Sequence, residues 1–369
     1  MKILFVLEHY YPYIGGAERL FTQLARTLVQ SGYPVTVVTT RHDRSLPARE
    51  VLNGVRIFRV RCFNRYLFTL LSLPRILQQA RDCSLIHTTT YNAALPAWLA
   101  GQLLRKPVVV TFHEVWGKLW WQLPFTGWWQ KRGYYLYERL VLKLSFHRYI
   151  AVSHYTKNCL EQAGIPSGRI ATIYNGLDYA SFQSHRRIQP PVFTYTYFGR
   201  LGISKGLDLL LPAAQQFCSK YPESRLQLIL PRKPKPVFKR VQRLIRQLKL
   251  DSHIVLLHDL PRRQLYRTLS SSSCVVIPSY SEGFCFAAAE AAALQVPTIS
   301  SQRGALKEVV NGQYLPIKPL NATALSEALE KAANGQWQEL PRKRFPLERT
   351  VEQHLELYRC LLGQKRNSW

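Results

Sequence analysis

The chain has 369 residues, 47% of them hydrophobic and 20% charged, which points to two domains of ordinary size and makes a globular chain, not a disordered one, the default reading. Fifty Lys and Arg against 22 Asp and Glu leave a net charge of +28, and a balance that basic favours anionic partners: nucleic acid, an acidic membrane surface or phosphorylated substrates. The excess is spread evenly, +13 over residues 1–185 and +15 over the remainder, whereas a dedicated nucleic-acid tail would be lopsided. The seven cysteines are scattered without a CxxC pair and read as reduced core thiols of a reducing compartment. The apolar run after Lys2 is ended by Glu8 and His9, too early for a secretory signal. No apolar stretch reaches the roughly 18 residues needed to span a bilayer, so any membrane contact is expected to be peripheral.

In chain order, residues 2–7 form a buried strand that runs into a glycine-containing loop. Leu20, Phe21, Leu24 and Leu28 then mark a helix over 17–31, stopped by Gly32. Strands follow at 34–40, 55–60, 85–88, 108–112, 149–153 and 170–174. Residues 183–191 are polar and basic, end in Pro190-Pro191, and read as a linker. The alternation then restarts. Strands are expected at 193–198, 225–230, 253–257, 274–278 and 297–300, and helices at 206–219, 237–249, 261–271 and 285–294. A last helix spans about 347–362. Alternating strands and helices predict parallel sheets covered on both faces.

Four motifs sit at strand ends. Gly15-Gly16-Ala17-Glu18 follows the first strand and opens its helix; glycines there let a ligand approach the backbone, and a helix N-terminus favours an anion. A tight strand-to-helix turn would look the same, and the spacing does not meet the dinucleotide fingerprint GxGxxG. Phe198-Gly199-Arg200-Leu201 with Lys205-Gly206 repeats the arrangement with two cations, which could clamp a diphosphate or simply be solvated. In Pro278–Ala291 two carboxylates stand eight apart, Glu282 before a helix and Glu290 about two turns into it among alanines. Carboxylates there can accept bonds from sugar hydroxyls, and the amides of 284–286 can donate to the same ligand. The plainer reading makes Glu282 a partner of the helix dipole and Glu290 an exposed-face residue. His113-Glu114 ends the strand 108–112, where ligands of open α/β sheets bind.

These elements, in this order, resemble the GT-B glycosyltransferases of the large retaining family 4. Val152-Ser153 before a helix, Tyr174-Asn175-Gly176-Leu177-Asp178 and the E-x7-E pair extend the likeness over almost the whole chain. The resemblance implies two Rossmann-like domains facing across a cleft. These would be an acceptor-side domain at 1–186, a nucleotide-sugar domain at 187–345, and a helix at 346–369 returning to the first. It implies that Gly15 and Gly16 face the donor diphosphate and that Arg200 and Lys205 hold it. Glu290 would take the ribose hydroxyls. Glu282 and the backbone of Phe284, Cys285 and Phe286 would hold the transferred sugar. His113 would lie near the anomeric carbon and the acceptor. The implied activity is retaining transfer of a hexose from a UDP- or GDP-type sugar, with neither metal nor cofactor, to a lipid-linked or polysaccharide-precursor acceptor. The sequence departs from the pattern at Cys285, where glycine is usual, at Arg303, and at 231–236, where Pro-Arg-Lys-Pro-Lys-Pro replaces a glycine-rich turn.

Five of the eight tryptophans, Trp116, Trp120, Trp121, Trp128 and Trp129, fall within 115–137 with Lys118, Lys131 and Arg132. Such a stretch suits a membrane interface, stacking on sugar rings, or a packed aromatic satellite core; its place after His113 favours the acceptor or lipid role. Residues 231–250 hold eight basic residues and no acid and read as a sheet-covering helix with a solvated basic face that could also help hold an anionic leaflet. The expected protein is cytoplasmic, peripheral to the inner face of the cell membrane, and without nucleic-acid partners. The rival readings are a sugar-nucleotide hydrolase or epimerase, an inactive glycosyltransferase-like subunit, and a basic nucleic-acid or membrane-surface binder.

Overall fold

A computed structural model describes residues 1–13, 15–122, 127–202 and 204–363, with Arg65 described by its backbone alone. Residues 364–369 of the expected C-terminal helix and 123–126 of the aromatic stretch lie outside the described residues. The described residues divide into two compact units, one within 1–122, 127–176 and 347–363, the other within 177–346.

The first unit is built on eight strands: β1 (Ile3–Val6), β2 (Val35–Thr40), β3 (Arg49–Leu52), β4 (Val55–Val60), β5 (Leu85–Thr89), β6 (Val108–Phe112), β7 (Arg148–Ala151) and β8 (Ile170–Thr172). They lie in the order β3-β4-β2-β1-β5-β6-β7-β8. All neighbours are parallel except β3 and β4. β1, β2, β5 and β6 are buried at every residue, as strands covered on both faces must be. The Gly16–Gln30 helix buries Leu20, Phe21, Leu24 and Leu28, the face read from the sequence. The unforeseen β3 makes a hairpin with β4 through Asn53-Gly54, both at positive φ. Asn-Gly between alternating residues is the usual signal for that turn, so the hairpin was legible.

The second unit carries β9 (Thr194–Phe198), β10 (Arg225–Ile229), β11 (Ile254–Leu257), β12 (Cys274–Ile277), β13 (Thr298–Ser300), β14 (Gly312–Pro316) and β15 (Gln338–Leu340) in the order β11-β10-β9-β12-β13-β14-β15. Only β15 runs antiparallel. Leu207–Lys220 packs beside Ala322–Ala333, a helix the sequence reading did not place. The expected linker 183–191 is tied to this unit: Ile188 N–H donates to Ser270 O at 2.9 Å and Arg187 Nη1 to Gln295 O at 2.8 Å. The cysteines are free, but the core-thiol reading holds for four only. Cys62 and Cys159 are half-buried and Cys360 is exposed, on the outer side of the last helix.

Candidate active site

In each sheet the strand order reverses beside its first strand, at β1/β5 and at β9/β12. A crevice outside the carboxyl ends of the strands opens at such a point. Three motifs read from the sequence follow β1, β9 and β12, and the fourth, His113-Glu114, follows β6, the neighbour of β5.

In the second unit the loop after β9 carries Gly199, Arg200 and Lys205, and the loop after β12 carries Ser279 to Cys285. The two loops are 77 residues apart from Lys205 to Glu282, yet Lys205 Nζ donates to Glu282 Oε1 at 2.8 Å. Ser279 Oγ donates to the same oxygen at 2.7 Å. Glu282 is only 6% exposed; a charge so enclosed needs these partners. Backbone and side chains lace the loops further, Tyr280 N–H to Ser204 O at 2.8 Å and Tyr280 OH to Asp208 Oδ2 at 2.6 Å. Gly206 sits at φ +71, where an added Cβ would lie 2.0 Å from Pro278 O. Arg200 is exposed and forms no ion pair with any described residue.

Glu282 is also fixed from its other side. Ala305 N–H donates to Glu282 O at 2.8 Å, and a Cβ on Gly304 would stand 2.3 Å from that oxygen. The glycine of Arg303-Gly304 is therefore retained where the loop requires it. Cys285 caps the Phe286–Ala293 helix at φ +76, the left-handed region that disfavours side chains. Burial, then the nearby Glu282 carboxylate, push its thiol well above its usual range. Phe284 is buried edge-on to Phe286 at 5.3 Å and to Phe345 at 5.2 Å. Glu290 is the fifth residue of its helix, one turn in and not two. It is buried and accepts from Tyr266 OH at 3.2 Å, so the exposed-face reading of this carboxylate is overturned. Its helix packs against β12 and β13, and its carboxylate meets Tyr266 of the Arg262–Ser270 helix.

In the first unit Gly15 caps the Gly16–Gln30 helix in extended conformation, and a Cβ there would meet the Glu18 carboxylate at 2.1 Å. Glu8 follows β1 and Asn92 follows β5, and Asn92 Nδ2 donates to Glu8 Oε2 at 2.9 Å across the reversal of strand order. His113 directly follows β6, half-buried, with Phe21 edge-on at 6.4 Å. Glu138, missed in the sequence reading, is 1% exposed. It accepts from Tyr91 OH (2.6 Å), Trp116 N–H (2.8 Å), Gly117 N–H (2.7 Å) and Trp120 Nε1 (3.2 Å). One carboxylate thus sets the path of the chain after His113. Its signal was a lone acid in a basic aromatic helix. The tryptophans divide: Trp116 and Trp120 pack half-buried on each other at 4.5 Å, while Trp121, Trp128 and Trp129 are exposed. The satellite-core reading holds only for the first pair.

Two family models cover the chain, Glycosyltransferase Family 4 over residues 14–181 and Glycosyl transferases group 1 over 182–345. With the GT-B fold of two Rossmann-like domains, they define the class: this is a glycosyltransferase fold. The chain belongs to the group 1 glycosyltransferases of GT-B type. It is similar to a phosphatidylinositol N-acetylglucosaminyltransferase component of Arabidopsis thaliana, 23% identical over 90% of this chain and 74% of that one. It is 27% identical to the GDP-mannose:cellobiosyl-diphosphopolyprenol alpha-mannosyltransferase of Xanthomonas oryzae pv. oryzae, over 79% of this chain and 76% of that one. Among solved structures, the sucrose-phosphate synthase of Thermosynechococcus elongatus superposes with a TM-score of 0.79 at 21% identity, covering 99% of both chains. Anabaena HepE in complex with UDP-glucose superposes with a TM-score of 0.72 at 19% identity, covering 99% of this chain and 100% of that one.

Proposed function

We propose that this protein is a retaining, metal-independent hexosyltransferase that takes its sugar from a UDP- or GDP-type donor. Its acceptor is a lipid-linked glycan or polysaccharide precursor, and it works at the inner face of the cell membrane. The observation that carries the reading is the Lys205–Glu282–Ser279 cluster beside exposed Arg200 at the β9/β12 reversal. It puts a carboxylate for sugar hydroxyls and two cations for a diphosphate on neighbouring loops.

When the donor bond breaks, negative charge grows on the leaving diphosphate. Arg200 and Lys205 stabilise that charge, the work a divalent cation does elsewhere. Without donor, Lys205 neutralises Glu282. With donor, Lys205 can share its three N–H groups between phosphate and carboxylate, and Glu282 accepts from the sugar. Glu290 takes the ribose, Gly15 and Gly16 the diphosphate and His113 the acceptor side, as in the family. Retention follows front-face attack in which a donor phosphate oxygen receives the acceptor proton. The lipid acceptor is supported by relatives whose names specify phosphatidylinositol and diphosphopolyprenol substrates. The membrane location is supported by the exposed tryptophans; no helix among the described residues is long and apolar enough to cross a bilayer.

Thermal unfolding with UDP, GDP, ADP and their sugar conjugates tests the donor site. A ligand at 100 times its Kd stabilises by about 2.7 kcal/mol. One nucleotide family is expected to stabilise the wild type and not Arg200→Ala. Stabilisation by none of them would rule the reading out in favour of an inactive glycosyltransferase-like protein.

A further inference from the structure

We propose that the first unit docks on an anionic lipid bilayer through a face formed by residues 61–75 and the Trp128–Lys143 helix, with a cavity between Arg61 and Arg75 that receives a lipid phosphate. The inference deepens the membrane location proposed above and names its lipid chemistry.

The apolar half of the face is exposed without cover. Phe63 is 84% exposed and Leu70 70%, with Tyr66 and Leu71 between and beside them also exposed. On the helix, Trp129 is 77% exposed, and Trp128, Leu136 and Leu140 share its outer side. The segments touch: Tyr66 OH lies 3.0 Å from Tyr134 OH, and Thr69 Oγ 3.5 Å from Tyr137 OH. Large side chains gathered this way are unusual on a protein that meets only water.

Apart from Glu50, which is paired with Arg59, the charge on this face is basic. Residues 51–81 contain six arginines and no acid. The helix exposes Arg132, Arg139 and Lys143, and its sole acid, Glu138, is buried under the aromatic loop. A second copy of the chain would bring like charges together, and a nucleic acid has no use for Leu70 and Leu140. Aliphatic and aromatic tips ringed by cations match a bilayer with anionic headgroups.

The cavity, about 350 Å³, is lined by Arg59, Arg61, Leu71, Arg75 and Gln78 among others. Arg59 is neutralised by Glu50 at 2.5 Å. Arg75 donates to Gln78 Oε1 at 2.6 Å and lies over the Phe58 ring, and neither it nor Arg61 pairs with an acid among the described residues. Leu71 belongs both to the cavity wall and to the exposed strip. A phosphate held by Arg61 and Arg75 would therefore lie directly above inserted side chains, as a phospholipid's phosphate lies above its acyl chains.

The test is sedimentation of the full chain with vesicles of phosphatidylcholine alone or with phosphatidylglycerol added. The wild type is expected on the anionic vesicles only. Arg61→Gln/Arg75→Gln should lower the partition coefficient roughly 10- to 30-fold, and Phe63→Ser/Leu70→Ser about tenfold. These side chains are exposed or at the cavity mouth, and circular dichroism verifies folding. Lys239→Gln/Arg243→Gln, which removes two exposed cations of the second unit, should leave binding unchanged. An equal loss in that control, or unchanged binding in both test pairs, overturns the proposal. Lys205→Ala should bind vesicles like the wild type, so loss of the nucleotide response and loss of lipid binding are read separately.

Discussion

Cys285 holds a backbone conformation, φ +76, that a glycine would adopt without strain. Cys285→Gly is therefore expected to stabilise the second unit by about 1 kcal/mol, read as a raised urea midpoint with unchanged m-value; a lowered midpoint would show that thiol packing outweighs the strain. Lys205 has the opposite character, because its ammonium is the charged partner of the buried Glu282 side chain, 2.8 Å away. Lys205→Ala should cost on the order of 2 kcal/mol in stability and about 100- to 1000-fold in kcat. Equal stability loss with full turnover would make the pair structural. Arg200 makes no comparable internal contact, so Arg200→Ala should spare stability and lose donor binding, and the contrast between the two variants separates folding from function.

At the scale of elements, two helices work through side chains that hydrogen-bond other parts of the first unit. The Trp128–Lys143 helix delivers Glu138, which gathers four donors from the chain after His113 and from Tyr91. Glu138→Ala leaves those donors without an acceptor and should cost about 3 kcal/mol, with the tryptophan emission of residues 116–121 shifting red. An unshifted spectrum would mean that the loop holds its path unaided. The Leu347–Leu361 helix ends its chain excursion in the first unit, where Tyr358 OH lies 2.5 Å from His87 Nδ1 on β5, and Thr111 Oγ lies 2.7 Å from Nε2. Val351, Leu355, Tyr358 and Leu361 were legible at helical spacing; Val351 and Tyr358 are buried, Leu355 and Leu361 are half-buried, and buried Leu357 was not read. The imidazole that Tyr358 would meet 271 residues earlier was not legible, because pairing at such separation leaves no local periodicity.

At the scale of the molecule, burial of charge-capable groups makes stability depend on pH. Burial depresses His354 from 6.5 to about 4, and holds His87 well below its ordinary value, with His354 and His113 adding repulsion. The unfolded chain then binds more protons than the folded one below about pH 6.5, so stability is full above that value and falls as pH drops toward 4. His354 alone accounts for on the order of 3 kcal/mol at the lower end. Urea midpoints should decline between pH 7.5 and 5, and His354→Gln should flatten the decline; a flat wild-type profile would refute the assignment. The sequence by itself determined the fold class, the alternation of elements and the residues at strand ends, because hydrophobic periodicity, glycine turns and strand-end motifs are local properties of the chain. It also located the exposed tryptophans, though not which of them are exposed. Tertiary structure alone decided that Lys205 pairs with Glu282, that Gly304 makes room for the Glu282 carbonyl, that Glu290 is buried against Tyr266, and that residues 63–71 lie beside the aromatic helix. Each of these depends on strand order in the sheet, which brings distant loops to one edge and leaves no trace in the spacing of neighbours.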